Sequence, residues 1–350
     1  MPLEIIQLDV TQERLWRDYV ARHPEATFFH TLVWRDAVQS AFGHESRYLL
    51  ALRDGHVTGV FPLARVASHL AGTILVSTPY AVYGGVLADD DEARDALLTF
   101  AEGLADRLHA RWLDIRSIRP VHPGLPVNER YVTFRKLLPA DPTEVLGDLP
   151  RKARAAARQA RERHGLQVEF GDEHLDTVWS LYSQSMRRLA SPNYPHRFFQ
   201  ELRERTPGGE APGHLVQLVF HDGEPAAGLL SFTYRGTFLP YFAGCDERYE
   251  RYHPNNFLYL TAMEQAVEMG CREFDFGRSR QDNIGSYEFK RNQGFEPTPL
   301  GYQYYVPDGG SVPDLYPTSP KVRLARRLWP RLPLALTRPL GAWLAKSIPG

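Results

Sequence analysis

The 350-residue chain has little cysteine and almost no excess charge. Its two cysteines, Cys245 and Cys271, exclude a disulfide framework and predict a reducing compartment. A net charge of −1 gives no overall preference for an anionic partner, which only a local cluster of cations would recognise. No apolar run approaches the roughly 18–20 residues of a membrane span, and the start, MPLEIIQLDV, lacks the basic and apolar regions of a signal peptide. These absences predict a cytoplasmic globular protein.

The familiar motifs of nucleotide, metal and hydrolase sites are also missing. The sequence has no Gly-x-Gly-x-x-Gly and no Gly-Lys-Ser/Thr, which excludes the common dinucleotide and phosphate loops. It has no His-Glu-x-x-His, no Cys-x-x-Cys and no Gly-x-Ser-x-Gly. None of the 13 histidines has an aspartate four residues later. The sequence therefore predicts no metal and no bound cofactor, and the chemistry must come from other groups.

What the sequence does contain is an internal repeat. Residues 47–117 and 215–279 share one order: an apolar strand, a tight turn, a returning strand, a third strand, a helix and a closing strand. The turns are Asp54-Gly55 and Asp222-Gly223, a strong signal for a two-residue hairpin. Such a duplication indicates two copies of one domain.

The repeat also predicts the fold class and the domains. Alternating strands and helices favour an α/β (α+β) fold with a mixed sheet flanked by helices in each copy. We expect an N-terminal domain over residues 1–140, a C-terminal domain over 141–307 that contains the active site, and a basic amphipathic tail over 308–350. The closing strands lead to Asp114 and Asp275, so these two residues are expected at equivalent places.

Two basic segments have open interpretations. Residues 151–163 form a helical stretch with six Lys or Arg, which either faces a phosphate-bearing partner or is a solvated linker helix. From Leu315 onward the chain has seven Lys or Arg and no acid. Its predicted helices, 321–329 and 334–346, either lie on an anionic membrane or pack their Leu and Trp residues on the second domain.

The densest polar stretch lies within residues 274–297. A buried strand ends at Asp275, and Arg278 and Lys290 are placed to supply positive charge to an oxyanion or a phosphate. The alternatives are a polar loop with a solvated Lys290, and an Asp275 that only binds loop amides. The catalytic candidates are thus Lys290, Arg278 and Asp275. The candidates for substrate binding are Ser279, Asn283, Tyr287, Phe289, Tyr241, Asn256, Arg187 and Arg154.

Several of these segments resemble the FemAB-related acyltransferases. They are FFHTLVW (28–34), the basic helix RKARAAARQARERHGLQVE (151–169) and the closing DFGRS…YEFKRNQGFEP (275–297). The branch that they resemble most is associated with PEP-CTERM/exosortase and exopolysaccharide systems. The segment SMRRLASPNYPHRFF (185–199) and the basic tail resemble the same branch. The resemblance implies tandem domains of the GNAT (acyl-CoA N-acyltransferase) fold. Its most specific piece is Phe289-Lys290-x-x-x-Gly294.

The resemblance also implies a transferase. Fem-type enzymes move an aminoacyl group from aminoacyl-tRNA to an amine of a cell-envelope precursor, and Lys290 matches the lysine of the family element. We therefore expect a cytoplasmic N-acyltransferase, peripheral on the inner face of a bacterial membrane if the tail binds lipid. Its acceptor would be an envelope glycan or peptide precursor, and its donor a co-substrate rather than a cofactor.

Two departures keep other functions open. The Gln/Arg-x-x-Gly-x-Gly/Ala loop that cradles coenzyme A is absent, and only residues 206–213 stand where some Fem enzymes insert a tRNA-binding arm. The alternatives are an acyl-CoA or acyl-carrier-dependent enzyme acting on an amino sugar or small amine, and a non-catalytic subunit of an exopolysaccharide assembly complex.

Overall fold

The computed structural model describes residues 3–207, 212–310, 320–348 and 350, and the chain divides into two compact units. The first unit comprises Met1–Glu129, Leu300–Pro317 and Trp343–Gly350. The second comprises Arg130–Pro299 and Thr318–Ala342.

The elements up to the end of the first repeat alternate as the sequence predicts. They are β1 (Glu4–Gln7), α1 (Glu13–Arg22), α2 (Leu32–Phe42), β2 (Glu45–Ser46), β3 (Leu49–Arg53), β4 (His56–Phe61), β5 (Ala64–Ser68), β6 (Gly72–Val76), β7 (Leu87–Ala88), α3 (Asp91–Arg107) and β8 (Leu113–Ser117).

The remaining elements contain the second repeat and the tail. They are β9 (Tyr131–Leu137), α4 (Val145–Asp148), α5 (Arg151–Arg158), β10 (Gln167–Phe170), α6 (Leu175–Arg188), α7 (His196–Arg205), β11 (Gly213–His221), β12 (Glu224–Tyr234), β13 (Thr237–Cys245), α8 (Pro254–Glu268), β14 (Glu273–Arg280), α9 (Ile284–Asn292), β15 (Pro297–Pro299), β16 (Gly301–Tyr305), α10 (Pro320–Leu328) and α11 (Leu334–Ser347).

Each unit contains a mixed sheet, and the first unit has an antiparallel sheet as well. The first unit has a four-stranded sheet in the order β1-β3-β4-β7 and a five-stranded sheet in the order β16-β8-β6-β5-β2. The second has one seven-stranded sheet in the order β10-β11-β12-β13-β14-β9-β15. Both predicted hairpins are confirmed, because Asp54-Gly55 and Asp222-Gly223 have positive φ at both positions, as a type I′ turn requires.

The units differ from the predicted domains at two strands. Strand β9 precedes residue 140, yet it pairs with β14 from Arg280↔Tyr131 to Glu273↔Leu137 and so belongs to the second unit. Strand β16 precedes residue 307, yet it pairs with β8 in the first unit. The tail is also divided, after Ala342. Strand pairing decides membership of a unit, and sequence order does not reveal a pairing between distant segments.

Glycines let α6 lie directly on the sheet of the second unit. A Cβ atom at Gly244 would lie 2.2 Å from the main chain of Leu181 and Tyr182, and one at Gly228 would lie 2.8 Å from Val178. The absence of side chains at these positions therefore allows the helix to approach the backbone of β12 and β13 closely. This contact positions α6 along the strand on which the candidate site is built.

The basic helix is packed and is not a solvated linker. Helix α5 continues into a π-helical turn over Gln159–Arg163 and buries Ala153, Ala157 and Ala160 in the core of the second unit. Its cations are on the remaining, mostly exposed sides. No helix in the described ranges is both long and apolar enough to span a bilayer.

Candidate functional site

Two parallel strands of the second unit, β13 and β14, stop pairing partway along their length. We call the gap between their unpaired parts the opening. Strands β13 and β14 pair only at Thr237↔Glu273 and Phe238↔Phe274. Beyond these pairs β13 continues to Cys245, paired with β12 and bonded at this last residue to Ser185 Oγ of α6, and β14 continues to Arg280, bonded to β9. In a strand, successive main-chain groups point to opposite sides, so about every second residue from 239 to 245 directs its N–H and C=O towards β14. The strand edge facing this opening is a row of hydrogen-bonding groups that a substrate can use.

A β-bulge begins where the pairing stops. The register of β14 against β9 shifts between Asp275↔Arg135 and Arg278↔Thr133, and Gly277 has a φ of 65°. A bulge bends its strand and increases the local twist. Because the last pair to β13 is Phe274, directly before the bulge, we attribute the divergence of the strands to this bend.

Lys290 holds the bulge in place. Its Nζ donates to the main-chain oxygens of Phe276 at 2.9 Å, Gly277 at 3.1 Å and Arg278 at 2.9 Å, and the residue is 8% exposed. An ammonium group has three protons, and the three carbonyl groups use them all. In this geometry all three protons of Lys290 are bound within the bulge, and its role as a donor to an oxyanion stays a prediction.

Two effects act on the ammonium group of Lys290 in opposite directions. Burial is the main cause that lowers its pKa from the usual 10.5 to about 7; the carboxylate of Asp275 partly opposes this shift, and the positive charge of Arg278 adds to it. The three carbonyl acceptors favour the charged form. The bulge thus contains a lysine on which burial and the main-chain carbonyl groups act in opposite directions.

Asp275 has the structural role that the sequence left as an alternative. It is buried, its Oδ1 accepts the amide of Gly277 at 2.7 Å, and its Oδ2 lies 3.6 Å from Nε of Arg135. The carboxylate therefore helps to fix the bulge by accepting a hydrogen bond from one of its amides.

The other candidates around β14 are divided between packing and exposed positions. The guanidinium of Arg278 lies 5.2 Å from the ring centre of Tyr131, and Ser279 Oγ is 3.0 Å from Ser286 Oγ. Tyr287 packs edge-on against Phe134. Phe289 contacts Tyr259. Asn283 is exposed at the start of α9. Arg278 is half-buried, and its main-chain oxygen accepts one of the hydrogen bonds from Lys290.

Two candidates lie on the other side of the opening. Tyr241 is on β13 at a second bulge, where Leu230 faces Phe242 and Ser231 faces Pro240. Asn256 is in the first turn of α8, which begins at Pro254 after His253, whose φ is 59°. The first N–H groups of a helix have no partner within it and carry partial positive charge, which suits a phosphate.

A cluster of polar groups that the sequence did not reveal lies on α6. Ser180, Ser183 and Arg187 recur at helical spacing, and Arg338 of α11 donates from Nη2 to Ser180 Oγ at 2.7 Å. Arg187 Nη1 donates to the main-chain oxygen of Leu332 at 3.4 Å. The Nε atoms of both arginines and Ser183 Oγ are buried without a hydrogen-bond partner. We call these four residues the α6 cluster.

The α6 cluster has uncompensated positive charge. Among the described residues, no carboxylate pairs with Arg187 or Arg338, whereas neighbouring Arg188 pairs with Glu250. Burial without a carboxylate partner lowers the pKa of Arg338. The sequence identified Arg187 as a substrate contact, but Arg338 was counted only as a cation of the tail. Arg154, the remaining candidate, donates to the main-chain oxygen of Gly147 on α4.

The cysteines are not placed for nucleophilic catalysis. Both are buried thiols, and burial raises the pKa of Cys245 to about 12. A thiol is a poor nucleophile compared with a thiolate, so neither residue suits covalent catalysis. In the part of the chain that the structure describes, no three His, Cys, Asp or Glu side chains come together as metal ligands.

Comparisons with known proteins identify the fold. Residues 149–291 match the acetyltransferase (GNAT) domain family. The structure is similar to that of FemX, with 17% identity, a TM-score of 0.67, and 87% of this chain and 97% of that chain covered. It is also similar to a tandem GNAT protein from the clavulanic acid biosynthesis pathway, with 14% identity, a TM-score of 0.56, and 89% and 100% covered.

A third similar structure is the C-terminal domain of a putative lysylphosphatidylglycerol synthetase from Agrobacterium fabrum. It has 14% identity and a TM-score of 0.51, with 85% of this chain and 92% of that chain covered. No curated protein sequence matches the chain. These findings confirm the predicted GNAT fold and its tandem arrangement, while the exosortase-associated branch stays a prediction.

Proposed function

We propose that the chain is an N-acyltransferase whose acyl donor lies in the opening between β13 and β14. The observation that carries this proposal is the pairing of the two strands, which ends after Phe238↔Phe274 although both strands continue. The free edge of β13 offers main-chain donors and acceptors along an extended donor molecule. The match of residues 149–291 to the GNAT domain family supports the same reaction class.

The reaction is the transfer of an acyl group from an ester or thioester to an amine. The nitrogen lone pair attacks the carbonyl carbon, the C–N bond forms, and the carbonyl oxygen becomes an oxyanion. The C–O or C–S bond then breaks, and the leaving atom takes the bonding electrons and the proton released by the nitrogen. Main-chain N–H groups of β13 that face the opening can stabilise the oxyanion, and one such donor is worth about 3–4 kcal/mol in comparable reactions.

Lys290 and Asp275 act on this reaction through the backbone. They fix the bulge at Gly277, and the bulge keeps β14 apart from β13. A displacement of about 1 Å in a reacting group can lower the rate by about 10²-fold, so this support is expected to matter as much as a direct contact. Lys290 is buried beside the opening rather than remote from it, which favours catalysis over a non-catalytic subunit.

The two ends of the substrates would be recognised as anions. The first turn of α8, with Asn256, can accept a phosphate of the donor, since the first N–H groups of a helix have no partner within it. The α6 cluster can accept a phosphate or carboxylate of the acceptor, because Arg187 and Arg338 have no acidic partner among the described residues. Arg278 would add charge at the reacting end.

The finer form of the proposal is a Fem-type reaction. The donor would be an aminoacyl or acyl group, and the acceptor an amine of a cell-envelope or exopolysaccharide precursor. It is supported by the Phe289-Lys290-x-x-x-Gly294 element and by the likeness to the FemX fold over most of the chain. An acyl-CoA donor is the second candidate, because the open edge of β13 followed by a helix N-terminus also suits a thioester with phosphates at its far end.

The test is a search by mass spectrometry for a new amide. Purified protein is incubated with charged tRNA or with a pool of acyl-CoA thioesters, and with phosphate-bearing amines such as nucleotide-linked amino sugars and peptide precursors. Products from charged tRNA alone support the Fem-type reaction, and products from acyl-CoA alone support the second candidate. The proposal fails if folded protein forms no amide from either donor and also binds neither donor.

A further inference from the structure

Helix α10 has an exposed surface over most of its length. All six residues from 323 to 328 are exposed, including Leu324 at 58% and Leu328 at 45%. Leu324 and Leu328 are four residues apart and therefore lie on one side of the helix. Arg323 and Arg327 are also four residues apart and lie together on a neighbouring side. The helix thus presents two leucines beside two arginines, and its packing contacts are limited to its ends.

A helix of this kind needs a partner for stability. It has nine residues, and isolated helices shorter than about 12–15 residues are marginal in water. Helices in folded proteins gain most of their stability from the apolar side that they bury. Since Leu324 and Leu328 are exposed, the surface that would stabilise α10 is not supplied by the described part of the chain.

The adjoining helix has the same character on one side. Leu336, Leu340 and Trp343 recur four and three residues apart along α11 and are 51%, 45% and 52% exposed. The neighbouring side of α11 is packed, because Thr337 is buried and a Cβ atom at Gly341 would lie 2.4 Å from Asn193. The helix is therefore attached to the protein by one side and exposes apolar residues on another.

The charge of this segment specifies the partner. From Leu315 onward the sequence has seven Lys or Arg and no Asp or Glu, although the whole chain has a net charge of −1. A neutral surface gives no reason for such an asymmetry. An anionic lipid surface does, since it attracts cations electrostatically and takes up Leu and Trp side chains at its interface.

We propose that the exposed surface of α10 and α11 binds the protein to an anionic bilayer. The leucines and Trp343 would enter the interfacial region, and Arg323, Arg326 and Arg327 would contact lipid headgroups. The protein would bind peripherally, without crossing the bilayer. This inference does not depend on the acyl transfer, so either can fail while the other stands.

The test measures binding of the full chain to vesicles by flotation. Vesicles of phosphatidylcholine are compared with vesicles that also contain phosphatidylglycerol, at low and high salt. We expect binding to the anionic vesicles that weakens at high salt. Arg323→Gln with Arg327→Gln should weaken it by about 10–30-fold, and Leu324→Ser with Leu328→Ser by about tenfold.

Matched controls separate this surface from general effects. Leu137 and Met269 are 74% and 42% exposed on β9 and after α8, so Leu137→Ser with Met269→Ser should bind like the original protein. Circular dichroism confirms that each variant is folded. The proposal is overturned by equal binding to both kinds of vesicle, by equal losses in the control, or by no binding to either, which would assign the exposed leucines to a protein interface.

Discussion

The two units contain corresponding pairs of parallel strands that continue differently. In the first unit, β6 and β8 are parallel and pair only at Leu75↔Leu113 and Val76↔Asp114, as β13 and β14 pair at two positions in the second. In the first unit β6 ends at Val76. Residues 77–86 follow, and only then does the chain form β7, which pairs with β4. In the second unit β13 runs without interruption to Cys245.

The intervening segment closes the first unit. Arg116 is 2% exposed, and its guanidinium binds the carboxylate of Asp114 at 2.8 Å and the main-chain oxygen of Ala81. Ser77 and Thr78 are fully buried. A Cβ atom at Gly85 would lie 1.9 Å from Ser117 Oγ, which leaves no space between the segment and β8.

The comparison shows how one duplicated fold can give an open and a closed copy. The closing strand has a buried aspartate in both copies, but Asp114 pairs with an arginine that fills the space, whereas Asp275 binds the amide of a bulge that opens it. We therefore assign the proposed acyl transfer to the second unit.

The largest expected effect is on the stability of the closed copy. Arg116→Met leaves the carboxylate of Asp114 buried without its partner, and removing one member of a buried pair costs about 3–5 kcal/mol. We expect the free energy of unfolding, measured with urea, to fall by that amount. Turnover per folded molecule should stay within about twofold of the original. A specific loss of turnover in folded protein would show that the first unit is part of the active site.

The next effect is on turnover in the open copy. Lys290→Met leaves the carbonyl groups of residues 276–278 without a donor, so the bulge should relax and the opening lose its shape. We expect turnover to fall by about 10²–10³-fold, with a loss of about 1–3 kcal/mol in stability. Arg291→Met is the matched control, since Arg291 is an exposed cation on the same helix. Unchanged turnover in folded Lys290→Met would refute the role of the bulge.

A smaller effect is expected at the α6 cluster. Arg187→Ala and Arg338→Ala each remove a cation that has no carboxylate partner among the described residues, so each should raise KM for an anionic acceptor about tenfold with little change in kcat. Arg188→Ala is the control, because that side chain is engaged by Glu250. Steady-state kinetics with varied acceptor measure the difference. An equal rise in KM for all three variants would argue against a specific site.

The smallest effect is the pH dependence of stability at Lys290. Burial lowers its pKa to about 7 in the folded chain, against 10.5 when unfolded, so between these values the unfolded chain binds more protons. Stability contributed by this residue should therefore rise with pH above about 7, by roughly 1 kcal/mol per pH unit at first. The difference in unfolding free energy between the original protein and Lys290→Met, measured at several pH values, isolates it. A flat difference would mean that the carbonyl groups keep the lysine charged throughout.

Much of the local structure follows from the sequence. The hairpins at Asp54-Gly55 and Asp222-Gly223 form because these residues tolerate positive φ. The helical stretch that begins at Arg151 was predicted, and the repeat predicted two copies of one domain. These features depend on neighbours in sequence.

The roles of the site residues depended on contacts between distant segments. Lys290 is identified from sequence as a cation near Asp275, but whether its protons point to a substrate or to residues 276–278 is decided by how α9 folds back on β14. Arg338 meets Ser180 across 158 residues of sequence, so no local pattern connects them.

The sequence by itself thus determined the repeat, the element order and the position of the polar stretch, because periodicity and turn chemistry are local. Only the tertiary structure decided which copy is open. That difference arises from the pairing of β13 with β14 and from the packing of Arg116 against Asp114 and Ala81. Both depend on burial and on hydrogen bonds between segments far apart in the chain, and these become defined only when the strands are assembled.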